Sequence, residues 1–198
     1  MSIAVVNSGG ANIASVLHAL RRLGVDPKFT DKATEIRAAD RVILPGVGAA
    51  GQAMETLERH GLTAVIPQLK QPVLGICLGM QLLYESSEED NARLLGLIPG
   101  RLERLPEAEG LRVPHMGWNS ITNQAPDNLT EPLDGKWFFF VHSYAAPVNE
   151  WTLSTSTHGI EFTAIVRKDN FYGAQFHPER SSRAGAALFN EFLETPLR

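Results

Sequence analysis

The sequence predicts an α/β protein: a mostly parallel sheet with helices on both faces, extended by a β-rich region in its second half. Three observations carry this. Short, largely apolar runs at Ile3–Val6, Arg41–Leu44 and Pro72–Ile76 each end at a glycine-containing turn or a helical pattern. Such runs are what strands buried on both faces look like, and alternation with helices implies parallel pairing. From about Leu102 onward strand signals dominate, before a helical pattern returns at the C-terminal end.

Each element follows from local chemistry. Ile3–Val6 feeds the turn Asn7-Ser8-Gly9-Gly10. Asn12 then caps a helix whose Ile13, Val16, Leu17, Leu20 and Leu23 recur at helical spacing, and Gly24 ends it. The strand Arg41–Leu44 stops at Pro45-Gly46-Val47-Gly48. Helical patterns cover about Ala49–His60 and Leu62–Lys70, and the third strand, Pro72–Ile76, runs into a helix expected over Cys77–Tyr84. Later strands are expected at Leu111–Val113, Trp118–Ile121, Lys136–Val141, Trp151–Thr155, Phe162–Arg167 and Phe171–Phe176. Thr157-His158-Gly159 and Lys168-Asp169-Asn170 read as hairpin turns. Ser181 or Ser182 caps the last helix, which buries Leu188, Phe189, Phe192 and Leu193. Glu85–Arg93 and Asn123–Glu131 read as surface.

Length and composition bound the function. The 198 residues suit one domain spanning 1–198, and 43% hydrophobic with 20% charged residues suits a packed core. With 18 Lys and Arg against 22 Asp and Glu, the net charge of −4 lacks the basic footprint of a nucleic-acid binder. The single cysteine, Cys77, excludes an intrachain disulfide and any zinc site built on several cysteines. The longest aromatic and aliphatic run, Trp137–Val141, is too short to span a bilayer, and no signal-peptide pattern is visible. The expectation is a cytoplasmic protein. His18, His60, His115, His142 and His158 are scattered without metal-ligand spacing, so neither a metal nor a cofactor is expected.

Chemistry concentrates around Cys77. Gly75-Ile76-Cys77-Leu78-Gly79 follows a strand and precedes a helical pattern, which is the nucleophile-elbow arrangement with sulfur in place of oxygen. On this segment alone Cys77 reads equally well as a buried core residue. The base candidate is His177, 100 residues downstream in Gln175-Phe176-His177-Pro178-Glu179, also at a strand end. Its imidazole can deprotonate the thiol and later protonate a leaving amine, and Glu179 can orient the ring. Oxyanion donors are expected from the amide of Leu78 and from Gly46-Val47-Gly48, where glycines permit close approach. No lysine follows that loop, so it is not a P-loop.

These residues resemble those of class I glutamine amidotransferases with a Cys-His-Glu triad, over nearly the whole chain. The matching blocks are Leu44–Gly48, Pro72–Leu83, Pro114-His115-Met116-Gly117-Trp118-Asn119, Val141–Tyr144 and Gln175–Ser181. The third of these, Pro114–Asn119, narrows the resemblance to glutaminase subunits of imidazole glycerol phosphate synthases. The resemblance implies a flavodoxin-like sheet and hydrolysis of L-glutamine to glutamate and ammonia through a thioester on Cys77. It implies a partner, a (β/α)8-barrel cyclase subunit in a heterodimer, that uses the ammonia to make imidazole glycerol phosphate and aminoimidazole carboxamide ribotide. It also implies glutamine contacts from Gln81, Gly46–Gly48 and His142, Ser143 and Tyr144, and a partner interface including Asn12, Trp118, Asn119 and Arg180. Three positions depart from the family pattern: Asn7-Ser8-Gly9-Gly10-Ala11-Asn12 lacks a tyrosine, Arg180 replaces a common lysine, and Phe139 replaces a common tyrosine. Rival readings are a glutaminase subunit serving pyridoxal phosphate synthesis, a non-catalytic binding module on this fold, and a cysteine hydrolase of another kind. Pro114–Asn119 argues against the first, and the intact Cys77, His177 and Glu179 against the second.

Overall fold

The computed structural model describes residues 1–10 and 13–196. In chain order the elements are β1 (Ile3–Val6), α1 (Ile13–Arg22), β2 (Lys28–Thr30), α2 (Ala33–Ala38), β3 (Arg41–Gly46), α3 (Ala50–Arg59), β4 (Val73–Cys77), α4 (Leu78–Gln81) and β5 (Tyr84–Ser87). They continue with β6 (Ile98–Arg104), β7 (His115–Ser120), β8 (Thr122–Asn123), β9 (Trp137–His142), β10 (Tyr144–Ala145), β11 (Thr152–His158), β12 (Ile160–Lys168), β13 (Phe171–Ala174) and α5 (Ser182–Glu194).

The main sheet has eight strands in the order β2-β1-β3-β4-β13-β12-β11-β8. The first five are parallel, and the last three add antiparallel hairpin pairings. The parallel part has the flavodoxin-like order, in which ligands sit beyond the carboxyl ends of the strands. Side-chain alternation splits the core. Ile3, Val5, Ile43, Leu74 and Ile76 face α1 and α5 through Val16, Leu20, Leu188, Phe189 and Phe192. Ala4, Val6, Val42, Leu44 and Val73 face α2 and α3 through Ile36, Ala53 and Leu57. Burying each large apolar side chain contributes about 1.5–3 kcal/mol, so both faces hold helices. Arg41 closes one end: from the start of β3 its guanidinium donates to the carbonyls of Phe192 (3.0 Å) and Thr195 at the end of α5. Two small sheets, β10-β6-β5 and β7-β9, stand beside the main one. Among the described residues no helix is long and apolar enough to cross a membrane.

Several local expectations need correction. The helix expected over Cys77–Tyr84 is only α4, because Tyr84 already begins β5, which pairs with β6. Glu85 is therefore in a strand, within the stretch read as surface. Leu111–Val113 forms no strand, only a bridge between Ala108 and Leu111. The strand expected at Trp118–Ile121 is shifted to His115–Ser120, and Leu62–Lys70 holds a 3-10 turn at Ile66–Gln68 in place of a helix. Ser181 precedes α5 without capping it through its side chain. Both expected hairpin turns are present, with positive φ at Gly159 (75°) and Asp169 (55°).

Candidate active site

Sheet register brings the site together. Gly46 lies directly across from Cys77 in the β3–β4 pairing, and Gly173 and Ala174 of β13 lie across from Gly75 and Ile76. The loop after β3, the cysteine ending β4 and the His177 loop after β13 therefore emerge side by side at the carboxyl edge.

Cys77 has φ 53° and ψ −111°, a left-handed conformation that a non-glycine residue takes up only when its surroundings impose it. The neighbours impose it by close approach. A Cβ on Gly75 would lie 2.5 Å from the Gly79 carbonyl oxygen, and one on Gly79 would lie 1.7 Å from the Leu44 carbonyl oxygen. Those glycines are required so that strand, helix and neighbouring strand can meet at the elbow. A Cβ on Gly46 would lie 2.9 Å from the Gly79 nitrogen, whereas Gly48 has open space and needs glycine for its φ of +103°. Buried Ser8 steadies this loop by donating to the Pro45 carbonyl at 2.6 Å.

His177 Nδ1 is 2.8 Å from Glu179 Oε1, and both side chains are buried. Glu179 Oε2 has no hydrogen-bond partner among the described residues. Burial alone lowers the His177 pKa; hydrogen bonding to Cys77 and Glu179 outweighs it, and the pKa is pushed up to about 10. His177 thus holds a proton at neutral pH. Its ring is steadied from the backbone. The Ser181 hydroxyl donates to the His177 carbonyl (2.6 Å) and accepts the Phe139 amide (3.0 Å).

Cys77 and His177 open on a cavity of about 750 Å³ that is also lined by Val47, Gly48, Leu78, Gln81, His142, Ser143, Tyr144 and Arg180. The sequence-derived substrate residues therefore meet in one place, with Gly46 just behind them. Glu89, inside the stretch read as surface, also lines the cavity, and its Oε2 accepts the Ala50 amide at 2.8 Å. An isolated glutamate in a polar run carries no sequence signal for that role. Gln175, which the sequence marks only as a neighbour of His177, has a role of its own. Fully buried, it accepts from Gln81 Nε2 at 3.0 Å and directs its own Nε2 toward Cys77 Sγ at 4.0 Å.

His142 lines the cavity, but both its ring nitrogens are engaged inside the protein, by Tyr144 O (2.9 Å) and His115 Nδ1 (3.0 Å). It supports the pocket wall from behind. The histidines read as scattered thus include a cluster, since His115 also stacks on His158 at 4.2 Å. Among the described residues no group of three or more His, Cys, Asp or Glu is arranged to hold a metal ion.

Of the residues expected at a partner interface, Trp118 and Asn119 do not line the cavity. Trp118 and Asn119 are on β7, where Met116 (66%) and Trp118 (50%) are exposed, as is Trp137 (58%) on the paired β9. Arg180 bridges cavity and rim, with its guanidinium 4.2 Å from the centre of the Phe139 ring. The two departures from the family pattern at positions 139 and 180 are thus in contact: a planar cation stacks on a ring without a hydroxyl. Asn12 lies outside the described residues.

The chain is 48% identical over 197 residues to the imidazole glycerol phosphate synthase subunit HisH of Idiomarina loihiensis, covering 100% of both chains. It is 48% identical over 196 residues to the subunit of the same name from Escherichia coli K12, covering 98% of this chain and 100% of that one. A crystal structure of a glutamine amidotransferase superposes with a TM-score of 0.77 at 19% identity, covering 98% of each chain, which shows the shared fold. The family model for class-I glutamine amidotransferases matches residues 4–195, and the chain belongs to that family.

Proposed function

We propose that this chain is the glutaminase subunit of an imidazole glycerol phosphate synthase, with Cys77 as nucleophile, His177 as acid and base, and Glu179 as its orienting carboxylate. The observation that carries the residue assignment is the left-handed Cys77 on one cavity with His177, whose ring is paired with Glu179 at 2.8 Å.

The chemistry follows from these positions. Cys77 Sγ attacks the side-chain amide carbon of glutamine, and the carbonyl oxygen takes up negative charge. The Leu78 amide and an amide of the Gly46–Gly48 loop receive that charge; one such donor is worth roughly 2.7–4 kcal/mol. As the C–N bond breaks, the His177 proton passes to the leaving nitrogen, giving ammonia and a glutamyl thioester. His177, now neutral, takes a proton from water, whose oxygen displaces sulfur and releases glutamate. Gln81 and Glu89 offer acceptors suited to the substrate's ammonium group, and Ser143 and Tyr144 complete the wall.

The relatives' names call them synthase subunits. We assign the partner as a (β/α)8-barrel cyclase that binds the β7–β9 face through Trp118, Asn119 and Arg180 and receives the ammonia. Three exposed large apolar side chains on one two-stranded ribbon support that face. The test is glutamate release by the chain with and without a co-purified cyclase subunit. Stimulation by the cyclase is expected. No glutamate under either condition would contradict the reading.

A further inference from the structure

Two histidines, His142 and His115, form a hydrogen-bonded chain at the pocket wall whose direction is dictated by its ends, with His158 stacked against it. The Tyr144 carbonyl can only accept, so the 2.9 Å contact from His142 Nδ1 places the proton on Nδ1. His142 Nε2 is then an acceptor, and His115 Nδ1, 3.0 Å away, must donate to it. That leaves His115 Nε2 to accept from Asn119 Nδ2 at 3.4 Å, while the other hydrogen of that amide goes to the Thr157 carbonyl at 2.8 Å. His115 also stacks with Phe140 (4.9 Å) and His158 (4.2 Å), which fixes its ring plane. Burial, the leading cause in each case, pushes His115 down to about 4 and His142 to about 3, so both rings are neutral and the chain is intact at neutral pH.

The other end reaches the reacting sulfur. The Tyr144 carbonyl accepts Gln81 Nε2 at 2.9 Å, and the same nitrogen donates to Gln175 Oε1 at 3.0 Å. With both its hydrogens used, Gln81 has only its carbonyl oxygen left for a ligand. Gln175, its oxygen engaged, turns its amide nitrogen to Cys77 Sγ.

We propose that His115 and Asn119 are positioning residues for the substrate. By holding His142 in one tautomer they hold the Tyr144 carbonyl, and through it the amide orientations of Gln81 and Gln175. This rests on the reading of the cavity as a glutamine site.

The test is steady-state glutamate release by the chain with its cyclase subunit, comparing wild type, His115→Phe and His115→Asn. Phe keeps a ring for the stack and removes both nitrogens. Asn places an amide donor near the position of Nδ1 and keeps an acceptor. Loss of one net hydrogen bond predicts that His115→Phe raises the glutamine KM about tenfold with kcat changed far less. His115→Asn returns KM to within about threefold of wild type, a rescue that a packing role does not provide. An unchanged KM in His115→Phe, or equal losses in both variants, overturns the proposal. Should His115→Phe not fold, Asn119→Ala replaces it, with a smaller KM increase expected and an unchanged KM contradicting the inference. No glutamine turnover in the wild-type complex would overturn the site reading itself.

Discussion

The amide of His177 donates to the carbonyl of Phe139 at 2.8 Å, so the proposed base hangs from β9. Two residues further along that strand, the Val141 carbonyl lies 3.7 Å from Cys77 Sγ. One strand therefore steadies both Cys77 and His177, and the same strand pairs with β7 through Trp118 opposite Phe139. The exposed ribbon and the proposed triad share a backbone, which gives a partner bound on that ribbon a short physical route to the chemistry.

Ser181 tests that arrangement. Ser181→Ala leaves the Phe139 amide without its acceptor in a part-buried setting and leaves the His177 carbonyl with the Arg180 amide alone. An unsatisfied buried donor costs about 1–3 kcal/mol. Urea unfolding is expected to show a loss in that range, together with reduced glutamate release. Unchanged stability and turnover would remove the clamp from the account.

The His177 proton makes a prediction about pH. Its folded pKa of about 10 lies above the ordinary value of 6.5, so the folded state binds more protons between those values. The stabilisation is fully present below about pH 6.5 and is lost as pH rises through about 10. Glu179→Gln removes one of the groups that hold the charge. Thermal unfolding from pH 6.5 to 10 is expected to fall less steeply in the variant than in wild type; equal slopes would contradict the His177–Glu179 pair as a source of the shift.

Gly48 is the cleaner probe of the oxyanion loop. A Cβ there touches nothing within 4 Å, so Gly48→Ala acts only through its φ of +103°, while a Cβ on Gly46 runs into α4. Holding an L-residue in such a conformation costs about 1–3 kcal/mol. The complex carrying Gly48→Ala is expected to lose up to about 10²–10³-fold in stimulated turnover, the worth of one oxyanion donor. Its glutamine KM is expected to stay within about threefold. Full stimulation in the variant would show that the loop does not control the rate.

Elements whose pattern repeats locally were legible from residues alone: Ile3–Val6, α1 ending near Gly24, and the hairpins at Gly159 and Asp169. The elbow was legible because Gly75 and Gly79 flank Cys77 for steric reasons that leave a mark in sequence. β2, α2 and β5 leave little signal because each is short and only partly apolar, and β6 because Pro99, Gly100 and its charged residues interrupt the strand pattern; all four are held by their neighbours more than by their own propensity. The helix after Cys77 was read too long because Leu82, Leu83 and Tyr84 are apolar in either state, and pairing of β5 with β6 decides it. The histidine cluster left no trace because His115, His142 and His158 come from three strands, and only the register of β7 on β9 sets His115 opposite His142. Glu89 was hidden for the same reason: a chain fold, with no local pattern, carries it to the cavity.

The most direct test of the central claim separates the two nitrogen sources. With its cyclase partner, the Cys77→Ala chain is measured for product formation with glutamine and, separately, with ammonium salt. The thiolate is consumed only in making ammonia, so the account predicts no glutamine-dependent product and undiminished ammonia-dependent product. Glutamine-dependent turnover that survives in Cys77→Ala, or equal loss with both nitrogen sources, would contradict Cys77 as the nucleophile.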